Sequence, residues 1–392
     1  MEKELLYDKK RTNILFLMLL ILPINDIIAS IISPLNISVS KITILLYFIV
    51  FVMGIITIIK CPIYKSNILS LIIIYLFYVL MYFISSDYGK KEFLTTNMKI
   101  IYFYYIPLSI LFVSNIKSWK LLFSERSYII ISDIIILLAF FSRFSNNVVD
   151  YMVFSYNILP LCGIIMVSMI QFENKRQILF LMLSIIELTL FGSRGALIWL
   201  LLCGMLLYIS TFIKSFENKN KFYKKLFSII LVFIVSLFCI MYIIPKILES
   251  SFGNTSYILR RIKDGSIVES DARLVIYKTS IEHIKKNGIN INGLFYDRTI
   301  LPKNMYAHNF ILELYLSFGL LLGSVFLIFL ARIIFKVIKR CYNMYLYAAI
   351  YFITIFFLRY FLSGSIFSEG KFIIFFAFLF SVINNKQLYK KD

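Results

Sequence analysis

Gly192-Ser193-Arg194-Gly195 stands between two apolar runs, and a hydrophilic stretch from 245 to 308 closes on His308-Asn309. Charge inside or beside hydrocarbon is costly, so polar islands in an apolar chain are where binding or catalysis is expected. The residue types offer anion binding and proton transfer. Arginine presents a planar, permanently charged fork that matches phosphate oxygens. Histidine can be neutral near pH 7 and accept a proton. Each also has a plainer reading: an interfacial arginine reaching lipid phosphate, and a hydrogen-bonded interfacial histidine. Gly192 and Gly195 weigh against the first, because they thin the helix surface around Ser193 and Arg194 and would let a bulky ligand approach. His308 and Asn309 stand at the entrance of an apolar run and face the long loop, which weighs against the second.

The surrounding elements are dictated by composition. Of 392 residues, 60% are hydrophobic and 16% charged. The apolar residues come in runs near 20, the length that crosses a bilayer as a helix. Only helices or closed barrels satisfy every backbone group in lipid, and the runs lack the alternation of barrel strands. An all-α, polytopic membrane protein with roughly twelve spans is therefore expected. Span seven covers about 177 to 191, span eight 194 to 214, span nine 224 to 244, span ten 309 to 334, span eleven 343 to 362 and span twelve 370 to 385. The first run, near 12 to 32, is too long for a removed signal peptide and lacks a small-residue cleavage site.

With the N-terminus in the cytoplasm, about 23 Lys and Arg fall inside and about 8 outside, the long loop set apart. Both termini are then cytoplasmic. Much of the +20 formal charge is a topological signal, and no nucleic-acid partner is expected. Cys162, Cys203 and Cys239 fall in spans, while Cys61 and Cys341 fall at the inner face. No disulfide is expected from that placement. The two histidines, 25 residues apart without clustered carboxylates, offer no zinc site.

In this topology both islands face outward. The loop 245–308 is too long for a bare connection and is expected to cap the site, within a single membrane domain covering 1–392. Inside it, Ser270 and Asp271 can cap a helix from about 271 to 286, on which Leu274, Tyr277, Ile281 and Ile284 recur opposite Lys278, Glu282 and Lys285. An amphipathic helix on the membrane surface fits. Arg273 in its first turn opposes the positive N-terminal dipole, a cost that a bound anion would offset. Asn287-Gly288 stops the helix, and Asn292-Gly293 makes a second turn. Glu187 lies two turns before Arg194, where an internal ion pair is the plain alternative. Glu313 lies in the outer half of span ten, and Arg359 sits about a turn inside span eleven, a third candidate cation.

Taken in order, Gly192-Ser193-Arg194-Gly195, Arg273 opening a loop helix, the Asn292-Gly293 turn, and Ala307-His308-Asn309 followed by Gly319 and Gly323 resemble the O-antigen polymerase and O-antigen ligase superfamily of bacterial membrane glycosyltransferases. The resemblance covers roughly residues 185 to 330. Leu294-Phe295 follows the turn where the Gly-x-Gly form carries a second glycine. The resemblance implies a GT-C-like fold in the bacterial cytoplasmic membrane, acting at its outer face without metal or other cofactor. It implies an undecaprenyl-diphosphate-linked oligosaccharide as both donor and acceptor, with a flippase and a chain-length regulator as possible partners. Arg194, Arg273 and Arg359 would then hold diphosphate, and His308 would be the base, with Glu313 in reserve. Polymerisation of repeat units is the expected activity. The alternatives are a ligase moving finished glycan to lipid A-core or another acceptor, and a glycolipid transporter. A transporter would place its polar groups nearer the midplane, often in related halves.

Overall fold

The computed structural model describes residues 2–32, 39–145, 150–215, 271–302, 305–342 and 344–385. Span nine and most of the long loop, including Ser270, lie outside the described residues. Among those described, the regular structure is helical throughout, with no strand. Among the described residues, eight helical stretches are long and apolar enough to cross a membrane: Glu2–Ile32, Lys41–Lys60, Lys65–Ile84, Thr96–Asn115, Tyr151–Phe172, Arg194–Ile213, Phe310–Arg340 and Met344–Phe361. Gln177–Phe191 and Gly370–Asn384 are shorter apolar helices, and Arg126–Ser145 carries Asp133 and Arg143 in its length. The protein is a helical membrane protein.

The chain divides into two compact units. The first holds residues 1–21, 40–122 and 270–392, and the second holds 22–39 and 123–269. The boundary in the Glu2–Ile32 helix adjoins Pro23, which removes one helical hydrogen bond there.

In the first unit, lipid-facing and buried surfaces separate by helical period. Leu69, Ile73, Leu76, Leu80 and Phe83 of the Lys65–Ile84 helix are exposed one turn apart, as a lipid-facing stripe requires. Phe352, Phe356, Phe375 and Phe378 are fully buried between the last two helices. Both ends of the described chain meet at one end of this unit: Glu4 pairs with Lys117, and Asn385 donates to the Lys117 carbonyl at 3.3 Å. The Thr96–Asn115 stretch widens into a π turn at Ile101–Tyr105, just before Pro107. A proline ring clashes with the carbonyl four residues back, and a wider turn relieves that clash.

Phe310–Arg340 is broken rather than continuous. Gly319 has φ +71° and ψ 172°, and a Cβ there would meet the carbonyl oxygens of Asn290, Gly288 and Ile289 at 2.8, 2.9 and 3.0 Å. The backbone groups freed by the break are satisfied by the 288–293 segment. Asn292 and Gly293 N–H groups donate to the Ser317 carbonyl at 3.0 Å, the Asn292 side chain donates to the Leu316 carbonyl at 3.0 Å, and Leu320 N–H donates to the Gly288 carbonyl. Irregular backbone at membrane depth survives only with such partners. The expected span of 309 to 334 therefore consists of two parts. Phe310 to Gly319 has no exposed residue, and lipid-exposed side chains begin at Leu320 and recur to Ile338.

The second unit is built around Tyr151–Phe172, buried from Phe154 to Ser168. Two polar side chains of this helix find partners inside the bundle: Asn157 donates to Asp26 at 2.9 Å, and Ser155 donates to the Ser193 hydroxyl at 2.9 Å.

Candidate functional site

The sequence candidates divide between the units. Arg273, His308, Asn309, Glu313 and Arg359 belong to the first, and Gly192 to Gly195 to the second.

In the first unit, the Asp271–Asn287 helix carries Arg273, half-buried, near the first of its described residues. His308 immediately precedes the Phe310 helix in the left-handed region, at φ +51°. That conformation is costly for a residue with a Cβ and persists only where its surroundings impose it. Two surroundings do so. Asp297, fully buried, accepts the Ala307 N–H at 2.9 Å, and Asn309 caps the helix by accepting from Ile311 and Leu312 at 3.0 and 3.3 Å. Asn309 also donates to the Phe361 carbonyl at 3.3 Å, so its part is to fix the backbone. The imidazole lies against the Tyr306 ring, with centroids 3.9 Å apart, and its Nδ1 is buried without a hydrogen-bond partner. Burial, and then the positive charge of Arg273, push the imidazole pKa down to about 4. His308 is therefore neutral across the physiological range, with a ring nitrogen that has no hydrogen-bond partner among the described residues. Burial raises the Asp297 carboxyl, and its Oδ1 also has no partner.

Tyr306 links this imidazole to a second polar island. Gly364 N–H, at a glycine with φ +89°, donates to the Tyr306 hydroxyl at 3.1 Å. Gly364 belongs to Ser363-Gly364-Ser365-Ile366-Phe367-Ser368-Glu369-Gly370, between the last two apolar runs. The helix before it changes pitch twice, to π at Phe352–Phe357 and to 3-10 at Leu358–Phe361, and delivers Arg359 to Glu369 at 2.8 Å. Arg359 is only 5% exposed. A diphosphate would have to displace Glu369 to reach it. Glu313 is likewise committed: one oxygen accepts from Ser365 Oγ and the other from Ile366 N–H at 3.0 Å. A carboxyl group with both oxygens engaged, by the Ser365 hydroxyl and the Ile366 backbone, is poorly placed to act as a reserve base.

Four elements that the sequence reading passed over complete the region. Arg298 pairs with Glu92 at 2.5 Å, donates to Ser368 Oγ at 3.2 Å, and lies over the Phe295 ring at 4.7 Å. Asn97 donates to the Ser368 carbonyl at 2.8 Å. Asp297 holds the Ala307 backbone just before His308, and Tyr306 lies against its ring. The missed signal was the serine- and glycine-rich run after Arg359, a polar island of the same kind as 192–195. The turn at Asn292-Gly293 forms with Gly293 at φ +82°, and Phe295 takes φ +62°. Position 295 thus adopts the backbone conformation that a Gly-x-Gly turn supplies, while its fully buried ring packs 5.3 Å from Phe93.

The Asp271–Asn287 helix ends where expected, its start adjoining residues outside those described, but it has a different buried side. Ile276 and Ser280 are its most buried residues, and Leu274 and Ile281 are exposed. The Leu274–Tyr277–Ile281–Ile284 stripe sits at the edge of the protein contact, with only Tyr277 and Ile284 partly covered.

In the second unit, 192–195 is a helix break. Gly192 is extended after the Gln177–Phe191 helix, Ser193 caps the next helix by accepting from Ala196 N–H at 3.3 Å, and half-buried Arg194 begins it. A Cβ on Gly192 would meet the Leu188 carbonyl at 2.6 Å, and one on Gly195 would strike the Tyr156 hydroxyl. The glycines therefore serve close packing within the unit rather than the approach of a bulky ligand. Glu187 is 0% exposed, its two oxygens have no hydrogen-bond partner, and the cation acting on it is Arg143. The plain alternative of a Glu187–Arg194 pair does not form.

Among the described residues, no three His, Cys, Asp or Glu side chains gather as a metal would require. Compared with protein-family models, with curated proteins and with solved structures, the chain matches none.

Proposed function

We propose that this chain is a metal-independent glycosyltransferase of about twelve spans and GT-C-like architecture. It polymerises undecaprenyl-diphosphate-linked repeat units at the outer face of a bacterial cytoplasmic membrane, and both its termini are cytoplasmic. The observation that carries the reading is His308: a buried, neutral imidazole with a vacant ring nitrogen, held in a strained backbone within the field of Arg273. Arg273 is the first unit's diphosphate contact. Arg194 is a candidate contact for lipid diphosphate on the second unit.

In the reaction, a sugar hydroxyl of the acceptor attacks the anomeric carbon of the donor. The bond from that carbon to the diphosphate oxygen breaks, the diphosphate departs as an anion, and the hydroxyl proton passes to His308. A base with a pKa near 4 is weak, and general-base catalysis is most effective when pKa and operating pH are close. A diphosphate on Arg273 offsets part of that mismatch: burial, the larger cause, remains, while the negative charge cancels the cation that adds to it. Substrate binding thereby strengthens the base.

Deletion of the gene, followed by sizing of surface and lipid-linked polysaccharide, tests the assignment. Single-repeat surface glycan is the expected result. Long lipid-linked glycan lacking its final carrier would instead identify a ligase, and repeat units retained on the cytoplasmic side a transporter.

A further inference from the structure

We infer that the Asp271–Asn287 helix is a membrane-interface anchor: its outward face lies in the headgroup layer, with Leu274, Ile281 and Ile289 in the acyl boundary and lysines at lipid phosphates. The inference rests on the membrane character of the chain and not on its activity.

Three observations converge. First, the outward face is mixed in the manner of an interfacial helix: Leu274 is 58% exposed, Val275 and Ile281 are exposed, and Lys278, Lys285 and Lys286 share that side. Scattered apolar residues on a water-facing helix need no explanation. Here the run continues past the helix end, where Ile289 is 81% exposed and Ile291 is exposed too. Second, the helix end is seated at a defined depth. Gly288 accepts from Leu320 N–H, and a Cβ on Gly288 would meet the Leu320 side chain at 2.7 Å. Leu320 is where the lipid-facing side of the Phe310–Arg340 helix begins, with Leu321, Leu322, Val325, Ile328 and Phe329 exposed beyond it. Third, the length agrees. Leu320 to Arg340 spans about 31 Å at about 1.5 Å per residue, the thickness of the hydrocarbon core, about 30 Å. Lys336, Lys339 and Arg340 gather at the far end, and Arg332 can extend towards it. The hydrocarbon boundary therefore lies near the Gly319 break, and the helix stopping at Gly288 lies on it.

This placement accounts for the edge position of the apolar stripe. Tyr277 and Ile284 meet the protein, Leu274 and Ile281 meet lipid, and the stripe wraps a corner between the two. Lysines beside an apolar strip match the phosphates of a bilayer surface. The anchor also fixes the depth of Arg273, two turns before Ser280 on the same helix, at the level where a lipid-borne phosphate would arrive.

Tryptophan at the outward face reports its surroundings. Full-length Ile281→Trp and Leu274→Trp proteins in lipid nanodiscs are compared with the parent, whose Trp119 and Trp199 supply the background emission. Added emission should be blue-shifted, should be quenched by lipids brominated near the headgroup, where an interfacial helix buries its apolar face, and should resist an aqueous quencher. Emission quenched from water and indifferent to bromine would overturn the inference and leave the face in solvent. Blue-shifted emission insensitive to both quenchers would also overturn it, and would assign the face to a protein partner or a second copy. Lys285→Trp, two residues from the helix end and beside the same strip, supplies an independent reading if either apolar variant fails to assemble. It should show the bromine effect with a smaller blue shift.

Discussion

The two polar islands that stand out in the sequence meet different fates in the structure. In the second unit, the unusual residues of Gly192-Ser193-Arg194-Gly195 are absorbed by the local break: one glycine accommodates a carbonyl, the other a tyrosine hydroxyl, and the serine caps a helix. In the first unit, the residues around His308 are arranged so that the imidazole is left over. Asp297 holds Ala307, Asn309 caps the next helix, Glu313 secures Ser365 and Ile366, and Tyr306 backs the ring. Polar side chains that satisfy one another make a structural joint. Polar side chains that hold the backbone and leave His308 Nδ1 and Asp297 Oδ1 buried and unengaged among the described residues make a site.

The largest effect that this contrast predicts is at His308. His308→Ala should retain binding of a lipid-diphosphate analogue while turnover falls by about 10²- to 10⁴-fold, the range for loss of a general base. Glu313→Gln, measured beside it, should lower thermal stability more than turnover per folded molecule, because its oxygens hold the Ser365 hydroxyl and the Ile366 N–H. If turnover survived in His308→Ala and vanished in Glu313→Gln, the roles would be reversed.

Next in size is the difference between the arginines. Arg273→Ala should weaken a lipid-diphosphate analogue by about tenfold to a hundredfold, the worth of a charge-assisted contact of about 1.5 to 3 kcal/mol. Arg194→Ala should cost less, since the residues around Arg194 serve a helix break. Lysine should rescue Arg273 poorly, lacking the planar fork. Titration of both variants in the same membranes decides the order, and a greater loss at Arg194 would move the principal anion contact to the second unit.

Gly319→Ala should lower stability by about 2 kcal/mol or more, because left-handed backbone and three surrounding carbonyls both oppose a Cβ. Thermal unfolding in detergent measures it. An unchanged midpoint would mean that the break is dispensable.

The smallest effect is on pH dependence. His308 titrates near 4 in the folded chain against an ordinary 6.5, so between those values the unfolded chain holds more protons. Its stabilising contribution is full above about pH 6.5 and is lost as pH falls towards 4. The thermal midpoint of the wild type should fall more steeply over this window than that of His308→Gln. Parallel profiles would place the imidazole in solvent.

Much of the helical framework was legible because a run of about twenty apolar residues has few other fates. The end of the 271–287 helix was legible for a local reason, a stop signal at Asn287-Gly288. Its buried face was not, because Ile276 and Ser280 are chosen by the neighbouring helix rather than by the apolar stripe. Nor was the Gly319 break, since a glycine within an apolar run looks the same whether the helix continues or ends. His308 and Arg273 could be picked out by type and place, whereas Asp297, Tyr306 and Arg298 act through contacts more distant in sequence, such as Arg298 with Glu92. The 363–370 run was visible as a polar island and was passed over because only its neighbour Arg359 carried an obvious charge.

The central claim is that this chain alone joins lipid-linked repeat units. Purified wild-type protein in lipid vesicles, supplied with synthetic undecaprenyl-diphosphate-linked units and a chelator but no nucleotide sugar, should yield a ladder of progressively longer lipid-linked glycans with release of undecaprenyl diphosphate. Units recovered unextended by a folded protein that binds them would contradict it.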